Sequence, residues 1–241
     1  MLELRFEARF EAARDAIVGG DLQTLTRLPV EQPGLIRTRS MREHGATLLH
    51  YVSADGVEGY RQRTPRNIVE ISELRLKAGA DVPATANVYG GRCMTLGLTA
   101  TSLDPERAGV QKELMHVLLK HGARIDEGLV RTSLGNGRGK AAEFLAGRVA
   151  HLDLDEAAGW DVSTWSSASS PRIGGLRPGV PVGQFYEGFL SACSYGRNEV
   201  LEFLIATGVD LAGAGNGGRS ALRAAAIAGH LETVKLLLRH T

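Results

Sequence analysis

The chain has 241 residues, 28 Lys+Arg against 27 Asp+Glu, 43% apolar residues, 30 glycines and two cysteines. A net charge of +1 leaves no global positive field to hold nucleic acid or an anionic membrane surface, and Cys93 and Cys193 are too few for a disulfide framework, so a reducing, cytoplasmic setting fits. No uncharged apolar run of about 18 residues occurs, which argues against a signal peptide or a membrane span, and the 5% aromatic content favours thin layers over one thick core.

In chain order the predicted elements are helical pairs separated by turns. The first unit, 8–34, sets Gly19-Gly20-Asp21-Leu22 between two helical patterns. The second, 46–82, opens on Thr47-Leu48-Leu49-His50 and closes on Leu76-Lys77-Ala78-Gly79-Ala80-Asp81-Val82; the third, 94–126, closes on Val117 to Asp126. A fourth covers 128–153. The fifth, 154–181, is degenerate and dissolves after Gly159 into a Ser-, Gly- and Pro-rich stretch that breaks the helical period. The sixth, 184–212, and the seventh, 216–241, superpose at a spacing of 33 residues, with Gly196 under Gly229, Leu201 under Val234 and Leu204 under Leu237.

The spacing predicts how these pairs bury their apolar sides. Leu201, Leu204 and Ile205, like Val234, Leu237 and Leu238, sit at i, i+3, i+4, giving each second helix one stripe that only a stacked neighbour covers. Ala224, Ala225 and Ala226 let adjacent first helices approach closely. Gly196 and Gly229 fall where the chain turns with positive φ, which costs a residue with a Cβ about 1 kcal/mol.

The segment Gly218-Arg219-Ser220-Ala221-Leu222 through Gly229-His230-Leu231-Glu232-Thr233-Val234-Lys235-Leu236-Leu237-Leu238, together with Thr47 and His50, resembles the ankyrin repeat family. The resemblance implies an all-α ankyrin-repeat solenoid of about seven helical pairs with short hairpin fingers, one domain over 1–241. It also implies a hydrogen bond between Thr47 and His50, which makes His50 structural. In the family, fingers and first helices form a concave face for protein partners. Position by position that face presents Tyr186, Ser194, Tyr195, Arg219, Ile227 and Ala228, with the long link Pro83 to Arg92 adding Tyr89 and Arg92. For Tyr195, packing on the neighbouring repeat is the alternative.

Two units gain length between their helices, at Val57 to Asn67 and within Leu103 to Val110. The first insert offers Tyr60 as an aromatic anchor with Arg61, Arg63 and Arg66 beside it, residue types that anchor interfaces; a tolerated surface loop is the other reading. Arg37, Arg39 and Arg42 form a second basic cluster. With Glu43, Glu58 and Glu70 nearby in sequence, both clusters read as a solvated, salt-bridged edge, and next as a site for an acidic protein partner.

Catalytic and metal chemistry find no local setting. Gly213-Ala214-Gly215-Asn216-Gly217-Gly218 spells a dinucleotide fingerprint but lies in an inter-repeat finger, without the strand and acidic residue of a βαβ unit. Gly135 to Lys140 is a turn into a helix. Cys93 and Cys193 read as buried small residues, and His116 and His121 lie on different helix faces. The sequence therefore predicts a non-enzymatic protein-binding module with no cofactor, no metal, no nucleic acid and no membrane. The alternative is an enzyme or small-molecule binder with its site in 160–183, where Trp160, Trp165 and Arg172 lie. Helix Leu231 to Arg239, charged outward only at Glu232, Lys235 and Arg239, predicts an exposed apolar strip suited to weak self-association. Many Arg, Ala and Gly beside few Lys suggest a bacterial source.

Overall fold

The computed structural model describes residues 2–57, 62–126, 128–148, 182–206 and 221–240. It contains two compact units, Met1–Leu129 and Val130–Thr241.

In the first unit, α1 (Leu2–Gly19) begins ahead of residue 8 and turns at Gly20 (φ 78°) into α2 (Leu22–Glu31). Asp21 caps α2, accepting from the Thr24 amide at 3.0 Å and its hydroxyl at 2.6 Å, which satisfies a donor the first helical turn leaves open. Phe10, Ala13 and Ile17 of α1 and Leu25 of α2 are fully buried. Two 3-10 turns follow, Pro33–Arg37 and Leu48–Ser53. The second of these, expected as an α-helix of its pair, is buried along its whole length and ends where Ala54 turns left-handed at φ 48°.

Second helix α3 (Ile68–Lys77) leads to an antiparallel hairpin of β1 (Thr85–Val88) and β2 (Gly91–Met94), with Val88 opposite Gly91. Then come α4 (Thr95–Thr101), α5 (Leu103–Arg107) and α6 (Gln111–Lys120). The expected insertion loop at 103–110 is thus largely a short helix. Its geometry is held by the buried Gln111 amide, which donates to the carbonyls of Thr99 (3.0 Å), Ala100 (3.3 Å) and Ser102 (3.0 Å), end groups that α4 leaves without helical partners.

Thr47 and His50 interact as expected: His50 Nδ1 accepts from the Thr47 amide at 3.1 Å and lies 2.9 Å from Thr47 Oγ1. Burial lowers the His50 pKa to about 4, so the imidazole is neutral.

From the last residue of the first unit into the second runs α7 (Leu129–Gly135), which turns through Gly137 (φ 74°) into α8 (Gly139–Ala146), in agreement with a turn at 135–140. Farther on are α9 (Val182–Ser194), α10 (Asn198–Ala206), α11 (Ala221–Ile227) and α12 (Leu231–Leu238). Phe189, Cys193, Val200, Leu201, Leu204, Ala225, Leu236 and Leu237 form their shared core. Gly196 and Gly229 turn with φ 65° and 78°, as their place in the repeat predicts. A Cβ on Gly196 would lie 2.7 Å from His230 Nδ1, so this glycine also admits the imidazole of the following repeat. His230 Nε2 sits 3.1 Å from the Ser194 carbonyl, and Thr233 Oγ1 donates to Asn198 Oδ1 at 2.7 Å.

Two expectations need correction. The stripe of α12 is only in part Val234, Leu237 and Leu238: Leu237 is buried and Val234 packs half-buried on the core, but Leu238 is 58% exposed while Thr233 and Leu236 are buried. The helix is rolled so that Thr233 meets Asn198, and Leu231, Leu238 and Ile227 face solvent. Cys93 is partly exposed because it lies on the hairpin rather than in a helical layer; Cys193 is buried.

Candidate functional site

The turn side of the first unit is built from two neighbouring loops. Thr38 is extended, Arg39 bridges to Thr47, and the Ser40 amide donates to the Ala46 carbonyl at 2.8 Å, closing a tight loop that carries Met41 at its outside. Beside it stands the hairpin. The Asn87 amide donates to the His44 carbonyl at 2.7 Å, locking the two loops together.

At the tip, Tyr89 and Gly90 both have positive φ, 53° and 74°, the geometry of a two-residue turn whose twist matches the flanking strands. Glycine adopts it freely; tyrosine does so only under constraint. The constraint is visible. Tyr89 donates its hydroxyl to Asp55 Oδ1, and Thr101 Oγ1 donates to Asp55 Oδ2 at 3.1 Å. Gly56 lets the ring approach, since a Cβ there would come 3.0 Å from Tyr89 Cε2. Desolvation of the hydroxyl and the bond to Asp55 raise the Tyr89 pKa to about 12, so it remains a donor. Yet Tyr89 is 75% exposed and Met41 69%.

Four arginines lie on these two loops or beside them in sequence. Arg37 Nε donates to the Gly79 carbonyl at 3.0 Å, Arg39 Nη1 to the carbonyls of Gly45 (2.8 Å) and Thr85 (2.7 Å), and Arg92 Nε to Thr85 Oγ1 at 3.2 Å. Arg42 instead meets both carboxylate oxygens of Glu11 at 2.9 Å. Of the salt-bridged edge read for this cluster, Arg42 does form an ion pair, with a carboxylate from α1 rather than one adjacent in sequence, whereas Arg37 and Arg39 rest on carbonyls.

A second feature of this unit is an open groove of about 860 Å³ along α2, α3 and α6, floored by Leu22, Val69, Leu74 and Val117. Glu73 on its edge accepts from Lys120 Nζ at 3.1 Å, is 3.2 Å from His121 Nε2 and 3.4 Å from Lys77 Nζ. Lys120 above all, with His121 and Lys77, holds its pKa down to about 2.

The residues predicted to bind a partner fall in several places. Tyr89 and Arg92 share the hairpin; Arg63 and Arg66 are exposed in the same unit, Arg66 lining the groove. In the second unit, Tyr186 is half-buried against the α9–α12 core, Tyr195 is half-buried with its pKa raised to about 12 by burial, and Ile227 is 78% exposed. Tyr60, Arg61 and Arg219 lie outside the described residues, as do 160–181 of the alternative site. Met41 and Asp55 were not singled out by sequence; Asp55 acts through a partner 34 residues away, a pairing without a local signal. Among the described residues no group of three or more His, Cys, Asp or Glu is placed to hold a metal ion, and no helix is long and apolar enough to cross a membrane.

The family described as ankyrin repeats (many copies) matches residues 189–238. Among 113 matching chains of solved structures is the human ASB11 ankyrin repeat domain, 18% identical, with a TM-score of 0.50 over 95% of this chain and 82% of that one. A search of curated proteins found no match.

Proposed function

We propose that the chain, with ankyrin repeats matched over residues 189–238 and the fold of a solved ankyrin repeat domain, is a non-enzymatic module that binds a protein partner through the turn side of its first unit, with Tyr89 as the anchor. The observation that carries this is a tyrosine held at positive φ, its hydroxyl tied to Asp55, with three quarters of its surface left to solvent. Backbone strain of this kind persists where the surroundings impose it, and a rigid aromatic ring loses little entropy on binding. Met41 and Arg92 extend the surface. The insert residues Tyr60, Arg61, Arg63 and Arg66, and Tyr186, Tyr195, Arg219 and Ile227, are further contact positions in this reading. Two free thiols are consistent with a reducing, cytoplasmic setting, and the Arg-rich composition with a bacterial source.

The test is Tyr89→Asn, because asparagine tolerates positive φ and so keeps the turn while removing the ring. Affinity capture from the source cell followed by mass spectrometry should recover a partner with the parent chain and lose it with the variant, at an unchanged thermal midpoint. Equal recovery with Y89N removes Tyr89 as the anchor.

A further inference from the structure

We propose that this surface recognises an acidic segment of its partner, with the guanidinium groups of Arg39 and Arg92 receiving carboxylates and that of Arg37 extending the row. The inference rests on the protein-binding reading and adds the chemistry of the partner. Arg39 and Arg92 both bond to Thr85, one to its carbonyl and the other to its hydroxyl, so two like charges converge on a single residue. Arg37 and Arg39 are two apart in a chain that is extended at Thr38, which places them on the same side. All three arginines are exposed, and all three side chains rest on neutral acceptors, with no carboxylate among the described residues in an ion pair with them. Arg42 shows the contrast: it takes the Glu11 carboxylate with bonds to both oxygens. Asp81, exposed and four residues before Thr85, makes no such pair with them.

Three uncompensated cations close together repel one another, and each still has N–H donors free in the fork geometry that fits a carboxylate. Their hydrogen bonds to the backbone already fix two of them in place, so an incoming acid meets an ordered site rather than flexible side chains. A long polyanion is the poorer match, because a net charge of +1 supplies no field beyond this patch. Exposed Met41 and Tyr89 suit an apolar side chain next to the acids.

The probe is a short fluorescent peptide rich in glutamate with one leucine and one tryptophan, compared by anisotropy with its glutamine counterpart and with a version carrying phosphoserine for glutamate. Expected are binding of the glutamate peptide only or most tightly, weakening with added salt, and a loss of about tenfold for each of Arg39→Gln and Arg92→Gln. Arg92→Gln gives up a single side-chain bond, so it remains decisive should Arg39→Gln loosen the loop. Equal binding of the glutamine peptide, preference for the phosphoserine peptide, or undiminished binding by R92Q overturns the proposal. If the acidic peptide fails while Y89N still loses the captured partner, the acid specificity falls and the protein-binding reading stands.

Discussion

Arg75 in the first unit and Leu204 in the second occupy the same point of their helices, four residues before Gly79 and Gly208, and both are fully buried. Leu118 and Leu237 hold that point in two other repeats and are also buried. Leu204 shares its core cluster with Phe189, Val200, Leu201 and Leu237, an apolar setting among the described residues. Around Arg75 no partner answers among the described residues: Nε, Nη1 and Nη2 all lack hydrogen bonds there, and burial lowers its pKa to about 10. The first unit also buries Thr47, His50, Ser53, Ser72, Thr99 and Gln111, whereas the described part of the second buries Ser133 and Thr233. Among the described residues the first unit thus leans more on a polar framework of caps and carbonyl bonds and the second more on apolar stacking. The contrast shows that the register of the repeat decides what is buried, whatever side chain stands there.

The strongest way to break this comparison is to exchange the two solutions. Leu204→Arg places a cation in a layer that, among the described residues, is formed by apolar side chains, at an expected cost above about 4 kcal/mol. Hydrogen exchange should then become fast throughout α9–α12 while α3 stays protected; retained protection in α9–α12 would show that the second unit has polar capacity like the first.

Acid should divide the two units as well. The unfolded His50 takes up a proton near pH 6.5, but the native imidazole resists until about pH 4. The unfolded state therefore binds more protons between these values, and stability falls as pH drops through that window, by about 3 kcal/mol in all. Glu73 adds a second loss in the same direction between about 4.5 and 2, where the native carboxylate stays ionised and the unfolded one protonates. Urea unfolding followed at pH 7 and pH 4.5 should show the first loss, and His50→Gln should flatten it. A wild-type profile that is flat over this range would contradict the burial of a neutral imidazole.

The smallest expected effect is a gain. Arg75→Met keeps the volume and removes an unpaired buried charge, so the first unit should gain about 1 to 4 kcal/mol. Slower exchange of the α3 amides measures it. A loss instead would mean that the guanidinium is satisfied in solution by water reaching the interior.

Much of the fold was legible because its signals are local. Gly196 and Gly229 mark left-handed turns by type and spacing, and Thr47 with His50 forms a bond between residues three apart. The binding surface was less legible. Tyr89 and Arg92 stood out as residue types, but nothing near Tyr89 in sequence reveals Asp55 or Gly56, which hold it. Nor does any pattern of charge show that Arg42 turns to Glu11, 31 residues away, while Arg39 turns to a carbonyl.

By itself, then, the amino-acid order determined the repeat: the 33-residue spacing, the helix-turn-helix unit and the glycines at its corners follow from side-chain periodicity and backbone sterics within a few residues. Tertiary structure decided which side of each helix is covered, rolling α12 so that Leu238 is exposed and Thr233 buried. It also brought Arg39 and Arg92 together on Thr85. The reason is that burial and charge depend on what stacks against a helix or leans across a loop, and those neighbours are supplied by segments tens of residues away.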